Sequence, residues 1–432
     1  MAKNFQKHNL HHLFMAFALA IAISAVTFLL PFFKSGLEYS VSADSNVIHI
    51  SSRWGQLGSP DIAMSQFGDT VMVWEDSGGK SYEIFGQSFD SNRNPFGSTK
   101  KLNHYRPNDQ RNPRIAMDEI GNYIVVWQSY EQDGSESGIY GQRFSYEGIK
   151  TGSEFKINTY IIGNQVTPAV AMSKTGEFVV TWVSDGQDGT GKSIFAQIFG
   201  ADGKKAGEEF RVNTHNAGIQ ETPAVVIDEN GNIMIVWQNR SGDDMADGWD
   251  IYGRLFKKDG KVITDEDFII NKTNQFNQQQ PDVEAIGGKF MVVWNNTKQH
   301  EVLENLVENV EGRIISNAGI AIGNEFEVSP AILGHQENPK LTAVSSGKII
   351  TVWEDYDRLF SEVKNWNIST QTLNASGGKI GEKNILNTSE YKWNKQPAIT
   401  SDGRGNTDVI WTGLNNVPYK KALHYLRRIG DE

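Results

Sequence analysis

The chain contains no cysteine, which excludes disulfide bonds, a thiolate nucleophile and any metal site built on thiolates. An excess of positive charge is also missing. The formal net charge of −11 argues against nucleic acid or an anionic membrane surface as a partner. Neither a G-x-S-x-G nucleophile elbow nor an H-E-x-x-H zinc motif occurs. Short motifs therefore do not indicate a function, and the organisation of the whole chain is more informative.

Proline is scarce, yet its spacing is regular. Seven of the 12 prolines each precede a tryptophan by 13 or 14 residues, and they follow one another at intervals of 53–58 residues. The prolines are Pro60, Pro113, Pro168, Pro223, Pro281, Pro339 and Pro397, and the tryptophans are Trp74, Trp127, Trp182, Trp237, Trp294, Trp353 and Trp411. A repeat of this length predicts a β-propeller, because each copy has room for one four-stranded sheet.

The copy from Pro168 to Asn213 shows the repeated unit most clearly. Four short apolar runs alternate with turns rich in Gly and Asp, which is typical of a four-stranded antiparallel sheet. The seventh copy ends after a third run near residues 422–427, whereas residues 46–51 have the form of a fourth run. We therefore expect an all-β domain over residues 44–432. It would be a seven-bladed β-propeller of four-stranded antiparallel blades, closed by the N-terminal strand.

Residues 1–43 differ from the repeats. An uncharged apolar run of 21 residues, 13–33, follows Lys3, Lys7 and three histidines. This run predicts one N-terminal hydrophobic helix that is long enough to cross a bilayer. It is either a membrane anchor or a signal peptide that is cleaved after Ala43. In both cases the domain is expected to be exported, and to be either secreted or held at the membrane only by residues 13–33.

Part of the repeat resembles a known type of exported protein. The residues that carry the resemblance are Gln132-Asp133-Gly134, I-Y-G-Q-R-F at 139–144 and G-x-E-F-x-I-N-T at 152–159. They resemble tandem repeats of large secreted bacterial proteins, which often also carry hemolysin-type calcium-binding or cadherin-like adhesion modules. The resemblance covers about residues 46–427 and implies an exported propeller. The chain lacks the G-G-x-G-x-D calcium repeats of those proteins, so their calcium roll is not carried over.

The longer connections of the repeat are expected to share one face of the propeller, and four tryptophans outside the repeat pattern lie in or beside them. An exposed aromatic ring suits the apolar face of a sugar or the surface of a protein. We therefore predict binding of a glycan, or of an envelope or extracellular protein, at this face. The alternative is that each tryptophan packs its own loop onto the blade below. The candidate residues are Trp54, Trp366, Trp393, Tyr356 and Tyr391.

Acidic residues also concentrate in these loops. Asp243, Asp244, Asp247 and Asp250 are the densest group, and carboxylates close together on a loop are Ca²⁺ ligands. Because Asp-Gly is also a common turn signal, these carboxylates have an equally simple explanation as solvated turn residues. Apart from this Ca²⁺, no cofactor is expected. The insert at residues 295–309 has apolar residues at near-helical spacing and is predicted to form a short helix over the fifth blade.

Catalysis finds little support in the residue pattern. His104, His215 and His335 lie in separate connections between blades and could converge on the axis as a metal site. Too many carboxylates are present to select an acid/base pair. The sequence therefore favours a non-enzymatic, exported binding or scaffold protein. The alternative is a polysaccharide-active hydrolase or lyase with carboxylates at the central opening.

Overall fold

The computed structural model describes residues 37–41, 47–52, 56–77, 81–215, 218–240, 248–272, 275–299, 306–330, 334–344, 347–357, 365–387, 391–414 and 421–428. These residues form strands and turns without an α-helix. The first fourteen strands are β1 Leu37–Val41, β2 Val47–Ser52, β3 Gly58–Met64, β4 Thr70–Asp76, β5 Glu83–Phe89, β6 Pro95–Lys101, β7 Gln110–Met117, β8 Tyr123–Tyr130, β9 Ser137–Phe144, β10 Lys150–Lys156, β11 Gln165–Met172, β12 Phe178–Asp185, β13 Lys192–Phe199 and β14 Phe210–Arg211. The remainder are β15 Ile219–Ile227, β16 Ile233–Arg240, β17 Asp250–Phe256, β18 Phe268–Ile269, β19 Gln278–Ile286, β20 Lys289–Gln299, β21 Leu306–Ser316, β22 Ala321–Glu327, β23 Gly334–Val344, β24 Lys348–Asp357, β25 Trp366–Asn374, β26 Lys379–Ile385, β27 Trp393–Ser401, β28 Thr407–Leu414 and β29 Lys421–Arg428.

The strands from β3 to β22 form five antiparallel sheets of four consecutive strands each. The last repeats form a larger sheet, in which β23 to β26 make one antiparallel group of four and β27, β28, β29 and β2 make another. A single parallel bridge between Trp366 and Trp393 joins these two groups. Each group of four therefore corresponds to one copy of the repeat, and its strands are called first to fourth in the order given.

The first strand of every group faces the middle of the molecule. Along the described chain, each first strand packs beside the first strand of the next group, from β3 to β27, and β27 packs beside β3. The fourth strands lie at the periphery, where most residues of β6, β10 and β26 are exposed. The sheets are therefore arranged radially around a central axis.

The two ends of the described chain meet in one sheet. Strand β2 pairs with β29 in antiparallel register, with Val47 opposite Leu426 and Ile50 opposite Leu423. The side chain of Ile50 is fully buried in a cluster with Leu57 and Tyr425. Strand β1, which lies inside the predicted leader of residues 1–43, pairs with the outer edge of β2.

The core consists of apolar layers between neighbouring sheets. Each repeat tryptophan lies within a second strand and is at most 1% exposed. Between the second and third sheets, for example, Ile124 and Val126 pack against Phe178, Val180 and Trp182. Second strands are apolar on both faces because each face contacts a different neighbour. Replacing one such tryptophan with alanine would cost about 3–5 kcal/mol.

The polar residues of the repeat motif tie strands together. Asn158 accepts a hydrogen bond from the backbone N–H of Ile139, and Gln142 donates to the carbonyl of Gly152. Glu154 accepts the backbone N–H of His104 in the preceding repeat, and Glu209 accepts that of Thr159 in the same way. The motif that resembles exported repeat proteins is thus explained by contacts within and between sheets.

The predicted helix over residues 295–309 is wrong. Residues up to Gln299 extend β20 and residues from Leu306 extend β21, with Thr297 opposite Glu308. Burial alternates along β21, since Leu306 is exposed and Val307 is buried. The extended hairpin satisfies the backbone hydrogen bonds that a helix would have satisfied internally.

The predicted N-terminal hydrophobic helix, residues 13–33, lies outside the described residues. Within the part of the chain that the structure describes, no helix has the length and apolar character that a bilayer span requires.

Candidate functional site

A β-bulge interrupts every first strand just before the repeat proline. The residue preceding that proline has a φ angle of 46–56° in all seven cases, at Ser59, Asn112, Thr167, Thr222, Gln280, Asn338 and Gln396. This left-handed conformation is unfavourable for residues other than glycine. It is stabilised by side chains of neighbouring strands, as where Glu75 accepts the N–H of Asn112 and Glu354 accepts that of Gln396. The bulge changes the direction of the side chain of the residue that follows the proline.

The residues after the seven prolines line a cavity along the axis, which we call the axial cavity. They are Asp61, Arg114, Ala169, Ala224, Asp282, Lys340 and Ala398. The cavity has a volume of ≈ 1350 Å³ and extends to exposed turns between first and second strands, including Lys174 and Glu229. It therefore opens on the side of the short turns, opposite to the face on which the longer connections were predicted to carry function.

Two carboxylates in this layer face two cations. Asp61 accepts the backbone N–H groups of Ile62 and of Ile115 in the next sheet, each at 3.0 Å. Asp282 accepts the N–H of Leu341 at 3.1 Å, and its Oδ1 lies 4.0 Å from Nζ of Lys340. Burial raises the pKa of both carboxyl groups, although Arg114 and Lys340 act in the opposite direction on each. The hydrogen bonds to Ile115 and Leu341 therefore join neighbouring first strands at the wall of the cavity.

Glu284 is the acidic group of the next layer along the axis. The equivalent positions in the other six first strands hold Ala63, Ala116, Ala171, Val226, Thr342 and Thr400. Burial raises the pKa of Glu284 to about 7, against hydrogen bonds from the N–H groups of Ala285 and Ala343 and with a smaller contribution from the charge of Asp282. Asp282 and Glu284 are two residues apart on β19, so both side chains lie on the same face of the strand.

A second group of side chains lies at the longer connections, on the opposite side from the open end of the cavity. Tyr356 and Trp366 come together there, with ring centroids 5.1 Å apart, and the ring of His335 packs against both. Nζ of Lys395 lies 3.1 Å from the ring centroid of Trp366. Two predicted binding residues are therefore neighbours, but one face of Trp366 is covered by a lysine.

Carboxylates surround the same histidine. Nδ1 of His335 lies 2.8 Å from Oε2 of Glu308 and 4.0 Å from Oε1 of Glu337. Burial raises the pKa of Glu337 to about 7, and Glu308 acts in the same direction. His215 lies in a different pair, with Nδ1 2.5 Å from Oδ1 of Asp267, so the expected convergence of His104, His215 and His335 on the axis is not observed among these described contacts.

The other predicted site residues are spread out. Trp393 is 47% exposed, whereas Tyr391 stacks on His49 and contacts His424 edge-on. Trp54 lies outside the described residues. Of the predicted calcium ligands, Asp243, Asp244 and Asp247 also lie outside them, and Asp250 accepts a hydrogen bond from Asn271 at 2.7 Å. Calcium binding by this loop stays a prediction.

Comparison with known proteins identifies the fold. A β-propeller domain of a protease from Pyrococcus furiosus, with open velcro topology, is 11% identical and has a TM-score of 0.50, covering 88% of this chain and 96% of its own. The fold is a β-propeller. A protein of unknown function from Dyadobacter fermentans has a TM-score of 0.51 at 8% identity, covering 91% and 100%. An α-L-arabinanase from Penicillium chrysogenum, solved with arabinobiose, has a TM-score of 0.48 at 13% identity, covering 78% and 96%. No family model and no curated protein matches the sequence.

The expectation of a protein that is not an enzyme is wrong. Glycoside hydrolases such as the arabinanase are among the solved structures similar to this chain. The lack of short catalytic motifs does not exclude catalysis, because the first strands bring residues that are distant in the sequence together at the axis.

Sequence reasoning missed the axial residues Asp61, Arg114, Asp282, Glu284 and Lys340. The signal was present, since charged residues follow four of the seven repeat prolines and alanine follows the other three. A comparison of the seven copies at that position would have selected Asp61, Arg114, Asp282 and Lys340, and the same comparison two residues later would have selected Glu284.

Proposed function

We propose that the protein is a polysaccharide-active hydrolase whose acid/base carboxylates lie in the axial cavity. The observation that carries this proposal is the pair Asp282 and Glu284, two carboxyl groups on the same face of one innermost strand in different electrostatic environments. The cavity of ≈ 1350 Å³ exceeds the roughly 300–1,000 Å³ of pockets for small ligands, so it has room for more than one sugar ring.

Hydrolysis of a glycosidic bond requires one protonated and one ionised carboxyl group. Glu284, with its pKa raised to about 7, retains a proton near neutral pH and donates it to the leaving oxygen. Burial raises the pKa of Asp282, but two backbone N–H groups and Lys340 beside it act in the opposite direction and favour its ionised form, which is why we assign it as the base. Asp282 then takes a proton from water while the water oxygen bonds to the anomeric carbon.

The opposite wall of the cavity carries the other charged side chains of the layer. We expect Arg114 and Asp61 to bind sugar hydroxyl groups there.

The proposal is tested by the release of reducing ends from a panel of soluble polysaccharides. Replacing Glu284 with Gln is expected to lower kcat by roughly 10²–10⁴. Activity of the unaltered protein should fall above a pH of about 7, because Glu284 then loses its proton. Glu147→Gln, an exposed change far from the axis in a turn, serves as the control with unchanged activity. Equal rates for Glu284→Gln and the unaltered protein, or no cleavage of any glycan by the latter, would overturn the proposal.

The proposal includes seven blades closed into a ring by β2. Its support is the packing of β27 beside β3 and the ladder between β2 and β29. An experimental structure with a different number of sheets around the axis would remove it.

Export of the domain is also part of the proposal. It rests on the apolar run at residues 13–33, which would deliver the domain to glycans outside the cytoplasm. Fractionation of the producing cell checks this, since recovery of the protein only in the cytoplasm would contradict it.

A further inference from the structure

We propose that Glu308, His335 and Glu337 bind a divalent transition-metal cation, for which Zn²⁺ is the suitable probe. One ligand atom of each residue lies within 4.8 Å of the corresponding atoms of the other two. Imidazole nitrogen together with carboxylate oxygen is a donor set that Zn²⁺ accepts, with three protein ligands and an open position for water. The site lies at the longer connections and is separate from the axial carboxylates.

The backbone directs the three donors to one place. His335 and Glu337 are two residues apart on β23, so they project on the same side of the strand. Glu308 reaches them from β21 of the neighbouring sheet. Ligands 2.0–2.2 Å from a tetrahedral zinc are about 3.4 Å apart. The distances from Nδ1 of His335, 2.8 Å to Glu308 and 4.0 Å to Glu337, bracket that value.

The local charge favours a cation. Among the described residues, Lys395 is the only ammonium group recorded within 4.0 Å of a carboxylate of the cluster, at 3.9 Å from Glu337, and it lies closer to Glu354 outside the cluster, at 2.8 Å. Lys395 therefore pairs with Glu354 and Glu337, whereas the recorded ion pair of Glu308 is with His335.

The aromatic neighbours hold the histidine in position. The imidazole of His335 packs against Tyr356 and Trp366, with ring centroids 6.1 Å and 6.3 Å away. A ligand whose ring orientation is already fixed loses little conformational freedom when the metal binds.

The simpler alternative is an ordinary ion pair between His335 and Glu308. His215 and Asp267 provide the comparison, because they form such a pair, and their residues belong to no three-donor group among the described residues. A histidine at a mere ion pair would not confer zinc affinity, so His215→Ala is the matched control.

The experiment measures zinc binding by titration calorimetry on the full chain. His8, His11 and His12 are replaced by alanine in every version, because three histidines near the N-terminus could bind zinc themselves. We expect one equivalent of Zn²⁺ to bind to this background protein. His335→Ala and Glu337→Gln should weaken binding at least tenfold, whereas His215→Ala and Glu284→Gln should leave it unchanged.

Two further measurements separate binding from folding. His335→Asn retains a side chain that can form hydrogen bonds, so in EDTA its Tm should match that of the background protein. Zinc should raise the Tm of the background protein but not that of His335→Asn. With Co²⁺ as a spectroscopic probe, His335→Asn should alter the visible absorption bands. Equal zinc affinity in the background protein and in His335→Ala, or no saturable binding to either, would overturn the proposal without affecting the glycan hydrolase assignment.

Discussion

Asn158 shows how much one repeat residue contributes. It is buried at the end of a repeat, where its side-chain oxygen accepts the N–H of Ile139 and its amide donates to Tyr160 and Gln165. Asn158→Ala would leave the N–H of Ile139 without its partner, and we expect a loss of about 1–3 kcal/mol in the free energy of unfolding. Urea denaturation measures it.

The control for this change is Asn384→Ala, which alters an exposed strand residue. It should change the free energy of unfolding by no more than about 0.5 kcal/mol. A loss at Asn158 as small as that at Asn384 would show that water replaces the buried hydrogen bond.

Glu284 gives a second prediction at this scale, concerning pH. Its pKa is raised from 4.5 to about 7, so between these values the folded protein holds a proton that the unfolded chain has lost. Stability must therefore fall as pH rises through this window. Glu284→Gln removes this effect, and its free energy of unfolding relative to the unaltered protein should increase from pH 4.5 to pH 7.5.

Urea denaturation at several pH values checks the difference, with Glu147→Gln as an exposed reference. A difference that stays constant or decreases with pH would mean that Glu284 titrates normally in the fold.

At the scale of elements, the regular spacing of prolines and tryptophans predicted the strands. Each sheet has the same order of strands, so the buried tryptophan recurs at the same place in each second strand. The bulges were not predicted. A residue before proline normally has an extended backbone, so the presence of an X-Pro pair does not predict a positive φ angle. The axial charges depend on those bulges, which explains why the candidate site was sought elsewhere.

The bulge at Thr222 makes a testable prediction. A β-branched residue with a φ of 53° is in an unfavourable conformation. Asparagine tolerates this conformation better, so Thr222→Asn should raise the free energy of unfolding by about 1 kcal/mol. Thr151→Asn, in an exposed strand position without positive φ, should give no gain. If Thr222→Asn destabilises the protein, the threonine side chain has a packing role that outweighs its strained backbone.

At the scale of the whole molecule, the pairing of β2 with β29 can be tested by truncation. A version that begins at residue 44 keeps β2, and we expect it to unfold in one cooperative transition. A version that begins at residue 56 lacks β2 and so loses the buried side chains of Val47 and Ile50. It should be less stable by about 3 kcal/mol or more. Thermal unfolding followed by circular dichroism compares the two, and equal midpoints would place β2 outside the stable core.

This pairing also sets an order of events during synthesis. Leu423 follows its partner Ile50 by 373 residues, the difference between their numbers. At ribosomal rates of roughly 5–20 residues per second, β2 waits about 20–75 s for β29 to be made. During that time the edge of β2 that pairs with β29 has no partner, and a strand of another chain could add to it. High expression, which raises the concentration of incomplete chains, should therefore favour their aggregation before the last repeat has left the ribosome.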